Sequence, residues 1–167
     1  PRMVLPDGLP TFPQPENPYD LHCYGDAAHA NARKRRSTTG YALILSGAAV
    51  AYKSKVQSIT ATSSTEAEFL AAVAAAKQVK YLRSILTELG FPPQGPSTIY
   101  MDNQSAINMI NSKVPTERSR HIDVQHFAIQ DWKDHQEIVM AYCPGIFNPS
   151  DDSTKSLGWV LHQRHSR

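Results

Sequence analysis

Two cysteines, Cys23 and Cys143, are all that 167 residues contain, too few for a disulfide scaffold and without the paired spacing of a zinc site. A reducing compartment is the simpler expectation. Also missing is any run near the roughly 18 apolar residues that span a bilayer, and the N-terminus lacks the basic-then-apolar order of a signal peptide. No membrane association is expected, and the expected location is intracellular, in the cytoplasm. Charge of one sign is scarce too. The 17 Lys and Arg against 15 Asp and Glu leave a net charge of +2, compatible with nucleic acid yet common in proteins that never meet it. No methionine opens the chain at Pro1, so it is expected to be one module of a longer polyprotein. What is present, 41% hydrophobic and 19% charged residues, suffices for the core of one ordinary domain.

Six of the twelve prolines fall in the first eighteen residues, where a fixed φ and a missing donor disfavour helix and central strand. Residues 1–18 are therefore expected to be a linker, and 19–167 the folded domain. Leu21 to Asp26, Tyr41 to Leu45 and Val50 to Lys53 read as three short strands of an antiparallel meander, with Ser46-Gly47 as a turn. The run Arg33 to Arg36 lies in the first connection and must face solvent or an anion. Ser63-Ser64-Thr65-Glu66 opens a helix with the spacing of a capping box. Phe69, Val73, Ala76, Val79, Leu82, Leu86 and Leu89 then recur every three or four residues as one apolar face, until Gly90 and Pro92 stop it. Thr98 to Met101 is a further strand, Gln104 to Ile110 a brief helix and Arg118 to Trp132 a longer one. Glu137 to Tyr142 is the last strand, with Ile138, Met140 and Tyr142 on one face, and a final helix starts near Ser150. The order β-β-β-α-β-α-α-β-α describes an α/β domain, a mixed five-stranded sheet with helices on both faces.

Asp26 and Asp102 each close a predicted strand, and strand ends are where ligand sites of open α/β folds gather. Either alone is as readily a turn residue. Glu66 and Glu68 both sit where the helix dipole stabilises carboxylates regardless of function. With Ser63 as N-cap, Glu66 reaches back to close the box and Glu68 is left for other work. The frame with Thr65 as cap and Glu68 as its partner stays open.

Tyr24-Gly25-Asp26-Ala27, Arg36 to Tyr41, Ser63 to Phe69, Asp102-Asn103-Gln104-Ser105-Ala106, His121-Ile122-Asp123 and Asp151 to Leu157 occur in an order and spacing that resembles the ribonuclease H domains of copia-type retrotransposon reverse transcriptases. The similarity spans roughly Leu21 to Leu157. The resemblance implies the ribonuclease H-like fold and hydrolysis of the RNA strand of RNA/DNA hybrids by two-metal-ion catalysis, leaving 5′-phosphate and 3′-hydroxyl ends. It also implies an upstream polymerase domain in the same polyprotein and a place in a retroelement particle. The family's catalytic and metal-binding tetrad maps onto Asp26, Glu68, Asp102 and Asp151, with Asp152 as the competing fourth ligand. Two carboxylates about 4 Å apart repel by about 4 kcal/mol at an effective dielectric near 20, so such a cluster calls for cations. Hard oxygen ligands select two Mg²⁺ ions, with Mn²⁺ as a substitute, over zinc.

Around that tetrad, Asn103, Gln104 and Glu68 are candidates to touch the RNA strand through its 2′-hydroxyls. Arg35, Arg36, Arg118, Arg120 and His121 are candidates for substrate phosphates, against the ordinary alternatives of a solvated charge run and a packed histidine. No histidine lies between Tyr142 and Asp151, where many cellular ribonucleases H carry one. The basic helix that some of those enzymes use to grip substrate is also missing. Two rivals remain open at this level: a nuclease of the same fold acting on duplex DNA, such as an integrase or resolvase, and a binding module without catalysis.

Overall fold

The computed structural model describes residues 20–112 and 120–154, except the side chains of residues 120, 121, 152 and 153. The proline-rich segment, Arg118 and the chain beyond Thr154 lie outside that description. The elements follow the expected order: β1 (Leu21–Ala28), β2 (Thr38–Leu45), β3 (Ala48–Val56), α1 (Ser64–Glu88), β4 (Ser97–Met101), α2 (Gln104–Asn111), α3 (Arg120–Asp134), β5 (Ile138–Tyr142) and α4 (Asp151–Thr154). The sheet order is β3-β2-β1-β4-β5. β2 is antiparallel to β1 and β3, while β4 runs parallel to both β1 and β5.

β1 is buried along its whole length because it has a strand on either side and α1 against it. It extends past Asp26 to Ala28, so Asp26 lies inside the strand and does not end it. The first hairpin strands are longer than their apolar runs indicate. β2 begins at Thr38, and β3 reaches Val56 through Lys53-Ser54-Lys55, since an edge strand keeps its polar residues in water. Ser46 and Gly47 both take positive φ, 54° and 77°, the backbone of a two-residue hairpin turn that matches strand twist. A register shift between Leu43 and Ile44 bends the pair.

Ser63 caps α1, its side chain accepting from the Glu66 N–H at 3.1 Å. The return bond goes one residue further back than the capping box specifies: Glu66 Oε2 accepts from the Thr62 N–H at 2.8 Å and from the Thr62 hydroxyl. At the other end Gly90 takes φ +86°. The Phe91 N–H donates to Leu86 and the Gly90 N–H to Thr87, the paired bonds of a glycine-terminated helix. Phe69, Val73, Ala76 and Val79 bury the helix against the sheet, joined by Leu21, Leu43, Ile99, Ile129 and Ile138. Each large side chain buried in this way contributes about 1.5 to 3 kcal/mol. Leu89 departs from the expected face and is 65% exposed, because the chain turns there. Tyr142 is likewise exposed, as the last residue of β5 beyond the cover of the helices.

Candidate metal centre

Parallel pairing of β1 with β4 sets Cys23 against Ile99 and Tyr24 against Tyr100. Two residues further along the same register, Asp26 and Asp102 lie side by side on one face, because side chains alternate with period two. Asp102 follows the last residue of β4 directly. Glu68 enters from the first turns of α1, which crosses β1 at this end. One carboxylate oxygen from each of Asp26, Glu68 and Asp102 lies within 4.8 Å of the others. Asp26 is fully buried, Glu68 nearly so, and Asp102 partly open to solvent. The Ala27 N–H donates to Glu68 Oε1 at 3.3 Å, tying the helix carboxylate to the strand that carries Asp26. Ser63 is the N-cap of α1 and the Glu66 carboxylate turns back to Thr62, so the frame starting at Thr65 is excluded.

Asp151 opens α4 and is partly buried, but it does not fall within the 4.8 Å group. From α4, Thr154 reaches Asp26, its hydroxyl donating to Asp26 Oδ2. The approach of α4 to β1 is fixed by the fully buried Asn148. Its Nδ2 donates to Gly25 O at 2.9 Å, and its Oδ1 accepts from the Ser150 N–H and hydroxyl at 3.1 and 2.6 Å. Gly145 matters for a different reason. A Cβ there would stand 3.0 Å from Asp102 Oδ2, so the turn after β5 passes the carboxylate with backbone only. The charge of Asp102 is also felt at Cys143, whose thiol is pushed up to about 11, first by burial and then by that carboxylate.

Thr154, Asn148 and Gly145 received no role from sequence. Thr154 lies within the Asp151 to Leu157 segment that suggested the fourth ligand and Asn148 just before it, so the signal for them was proximity to that ligand. Nothing in the sequence marks Gly145 apart from other loop glycines. Of the proposed substrate contacts, Asn103 is engaged as N-cap of α2, accepting from the Ala106 N–H at 3.0 Å. Gln104 is exposed at the start of α2 and donates to Asn108. Arg35 and Arg36 are exposed in the β1–β2 connection, a 3-10 turn over Arg33–Arg35 in which Lys34 and Arg35 take positive φ. Arg120 and His121 start α3, with side chains outside the described set.

The donor set of the cluster is carboxylate oxygen alone, with neither thiol nor imidazole, and suits a hard divalent cation such as Mg²⁺ or Mn²⁺. Burial strengthens the case, since closely spaced carboxylates removed from water are costly to keep ionised without a counter-charge.

No protein-family model matches the chain. It is 36% identical over 136 residues to the retrovirus-related Pol polyprotein from transposon TNT 1-94 of Nicotiana tabacum, covering 81% of this chain and 10% of that protein. It is 30% identical over 152 residues to the corresponding polyprotein from transposon RE2 of Arabidopsis thaliana, covering 90% of this chain and 10% of the relative. The chain thus spans about a tenth of the length of the curated relatives it matches. Among solved structures, LC11-RNase H1, isolated from compost by a metagenomic approach, superposes with a TM-score of 0.59 at 14% identity, over 81% of this chain and 93% of that one. The same enzyme in complex with an RNA/DNA hybrid gives 0.58 at 16% identity, over 81% and 94%. At such identities the likeness establishes the fold, a mixed five-stranded sheet in ribonuclease H order.

Proposed function

The chain is homologous to one segment of the retrovirus-related Pol polyproteins of copia-type plant transposons, and from that premise we propose that it is a metal-dependent endonuclease that cuts the RNA strand of RNA/DNA hybrids during reverse transcription. The observation that carries the reading is the convergence of Asp26, Glu68 and Asp102 at one end of β1 and β4. These three, joined by Asp151 from α4, would hold two divalent cations, Mg²⁺ or in its place Mn²⁺. Bound there, such ions supply a nucleophilic water and stabilise the attacked phosphate and the leaving 3′ oxygen. The products are a 5′ phosphate and a 3′ hydroxyl.

The chain's own residues prepare that site. Thr154 fixes the rotamer of Asp26 by donating to Oδ2, and the Ala27 N–H restrains Glu68. Gly145 leaves room for the Asp102 carboxylate. An A-like duplex shows its 2′-hydroxyls in a shallow minor groove, so strand choice rests on polar groups beside the carboxylates. Gln104, exposed at the start of α2, is assigned to that contact together with Asn103 and Glu68. Arg35 and Arg36, with Arg118, Arg120 and His121, are assigned to phosphates, where they contribute affinity without reading sequence. The upstream polymerase segment of the same polyprotein would be the partner that adds grip.

The test is a cleavage assay on labelled RNA/DNA hybrid, duplex DNA and duplex RNA, each with Mg²⁺, Mn²⁺ or EDTA. The expected result is scission of the RNA strand of the hybrid alone, abolished by EDTA. Cutting of duplex DNA with the hybrid spared would move the chain to an integrase-like nuclease. Tight hybrid binding without scission under either metal would make it a binding module.

A further inference from the structure

A second site lies between edge strand β3 and helix α1, in a groove of about 420 Å³. None of Asp26, Glu68 and Asp102 lines it. Lys53 and Lys55 pair across the sheet with Tyr41 and Thr39. Tyr41 faces α1, its hydroxyl donating to Gln78 at 3.4 Å. Both lysines therefore stand on the α1 side of β3, and Lys77 enters from the helix as the opposite wall. All three are exposed, none forms an ion pair among the described residues, and no Asp or Glu lines the groove. Three cations lining one groove without an acid make a positive patch suited to an anion.

Two further features narrow the ligand. Leu70, Val73 and Ala74 line the groove beside the lysines, giving an apolar surface on which a ring can lie. Gln57, also in the lining, is buried. Its Nε2 is committed to Thr39 Oγ1 and the Ala67 carbonyl, both at 2.9 Å, which fixes the amide orientation. Its Oε1 is left buried with no hydrogen-bond partner. An orphaned acceptor of this kind favours a ligand that brings a donor. The volume lies at the lower end of the roughly 300 to 1,000 Å³ of small-ligand sites.

We propose that this groove binds a nucleoside phosphate, with Lys53, Lys55 and Lys77 on the phosphate, the Leu70-Val73-Ala74 surface under the ring and a ligand hydroxyl or amino group turned toward Gln57. The phosphate comes either from a free nucleotide or from one unit of a nucleic-acid strand. The inference stands apart from the cleavage reading, because it uses none of the carboxylates and is tested without metal.

The full chain is titrated in EDTA with adenosine 5′-monophosphate, adenosine, inorganic phosphate and a short single-stranded oligonucleotide, while backbone amide NMR signals of the groove are followed. The expected result is that the monophosphate shifts Gln57, Val73 and Lys77, with adenosine and inorganic phosphate each at least tenfold weaker. The double substitution Lys53→Gln and Lys77→Gln should weaken the monophosphate at least tenfold, with the amide spectrum otherwise that of the folded domain. If only the oligonucleotide moves these signals, and does so through the lysines, the source is a strand and the site stands. Groove signals that move with neither ligand, or equally well in the double variant, overturn it. Loss of hybrid cleavage in carboxylate variants leaves these shifts unaltered, so the two readings fail separately.

Discussion

Glu68 and Lys77 lie on the same helix, and each belongs to a cluster of three like charges built on an opposite plan. The acidic cluster is buried and restrained by backbone and side-chain bonds from Ala27 and Thr154. The basic one stands in solvent on an edge strand and an outer helix face, where charge is screened within about 10 Å at ordinary salt and costs little. Buried like charges store repulsion that only a bound counter-charge relieves, so their placement must be enforced by the fold. Exposed like charges need no enforcement and leave little mark on stability. Neutralising the first should therefore change function strongly at little cost in stability, whereas neutralising the second should change ligand binding alone.

The largest expected effect is at Asp26. On the proposed two-metal reading, Asp26→Asn removes a ligand worth several kcal/mol of transition-state stabilisation, so hybrid cleavage should fall at least about a hundredfold. Without metal, the midpoint of thermal unfolding should stay equal or rise, because repulsion with Glu68 and Asp102 is relieved. Cleavage kept near the original rate by folded Asp26→Asn would end the two-metal reading. Asp151→Asn belongs beside it. If Asp151 completes the tetrad, its loss should approach that of Asp26→Asn, while Asp152→Asn should change the rate little.

A smaller effect separates the paired glutamates, which share a helix turn but differ in task. Glu66→Ala deletes the acceptor for the Thr62 N–H and hydroxyl, costing about 0.5 to 2 kcal/mol in denaturant unfolding, as lost caps do, with most cleavage kept. Glu68→Gln should show the reverse, inactive and nearly as stable. Gly145→Ala falls between the two comparisons. The added methyl crowds Asp102 Oδ2 at 3.0 Å, so metal affinity measured by calorimetry should weaken while unfolding changes little. Unaltered affinity would mean that the turn yields instead of the carboxylate.

Much of this was legible in the sequence where a local rule controls the outcome. The Ser63 cap, the Gly90 stop, the turn at Ser46-Gly47 and the order of elements follow from capping, left-handed backbone and period. The strand-end pair Asp26 and Asp102 was legible as well, although Asp26 proved interior to β1. The rest depends on pairings between distant segments. The length of β3 is set by hydrogen bonding to β2, not by its polar composition. The contact of Thr154 with Asp26 and the bond of Asn148 to Gly25 join segments at opposite ends of the domain, and no periodicity encodes them. The lysine groove required the register that sets Lys53 opposite Tyr41.

The smallest effect concerns a buried base on the far side of β1 from α1. His22 packs edge-on against Tyr24 and Tyr100, with ring centroids 5.6 and 5.9 Å away. Burial lowers its pKa, with the charge of Asp20 opposing in part. Between the ordinary value near 6.5 and the lower folded value, the unfolded chain binds a proton that the folded chain does not. Stability from this group is therefore complete above about pH 6.5 and declines as pH falls toward the folded value. Exposed His135, raised by the Asp131 carbonyl and charge, shifts stability the other way, so the difference between two proteins is the useful measurement. His22→Phe keeps the aromatic edge contact and removes the titration. Unfolding followed from about pH 8 to pH 5 should show the original chain losing stability relative to His22→Phe below about pH 6.5. A difference constant across that range would mean that His22 titrates as freely in the folded protein as in the unfolded chain, and that its burial carries no proton linkage.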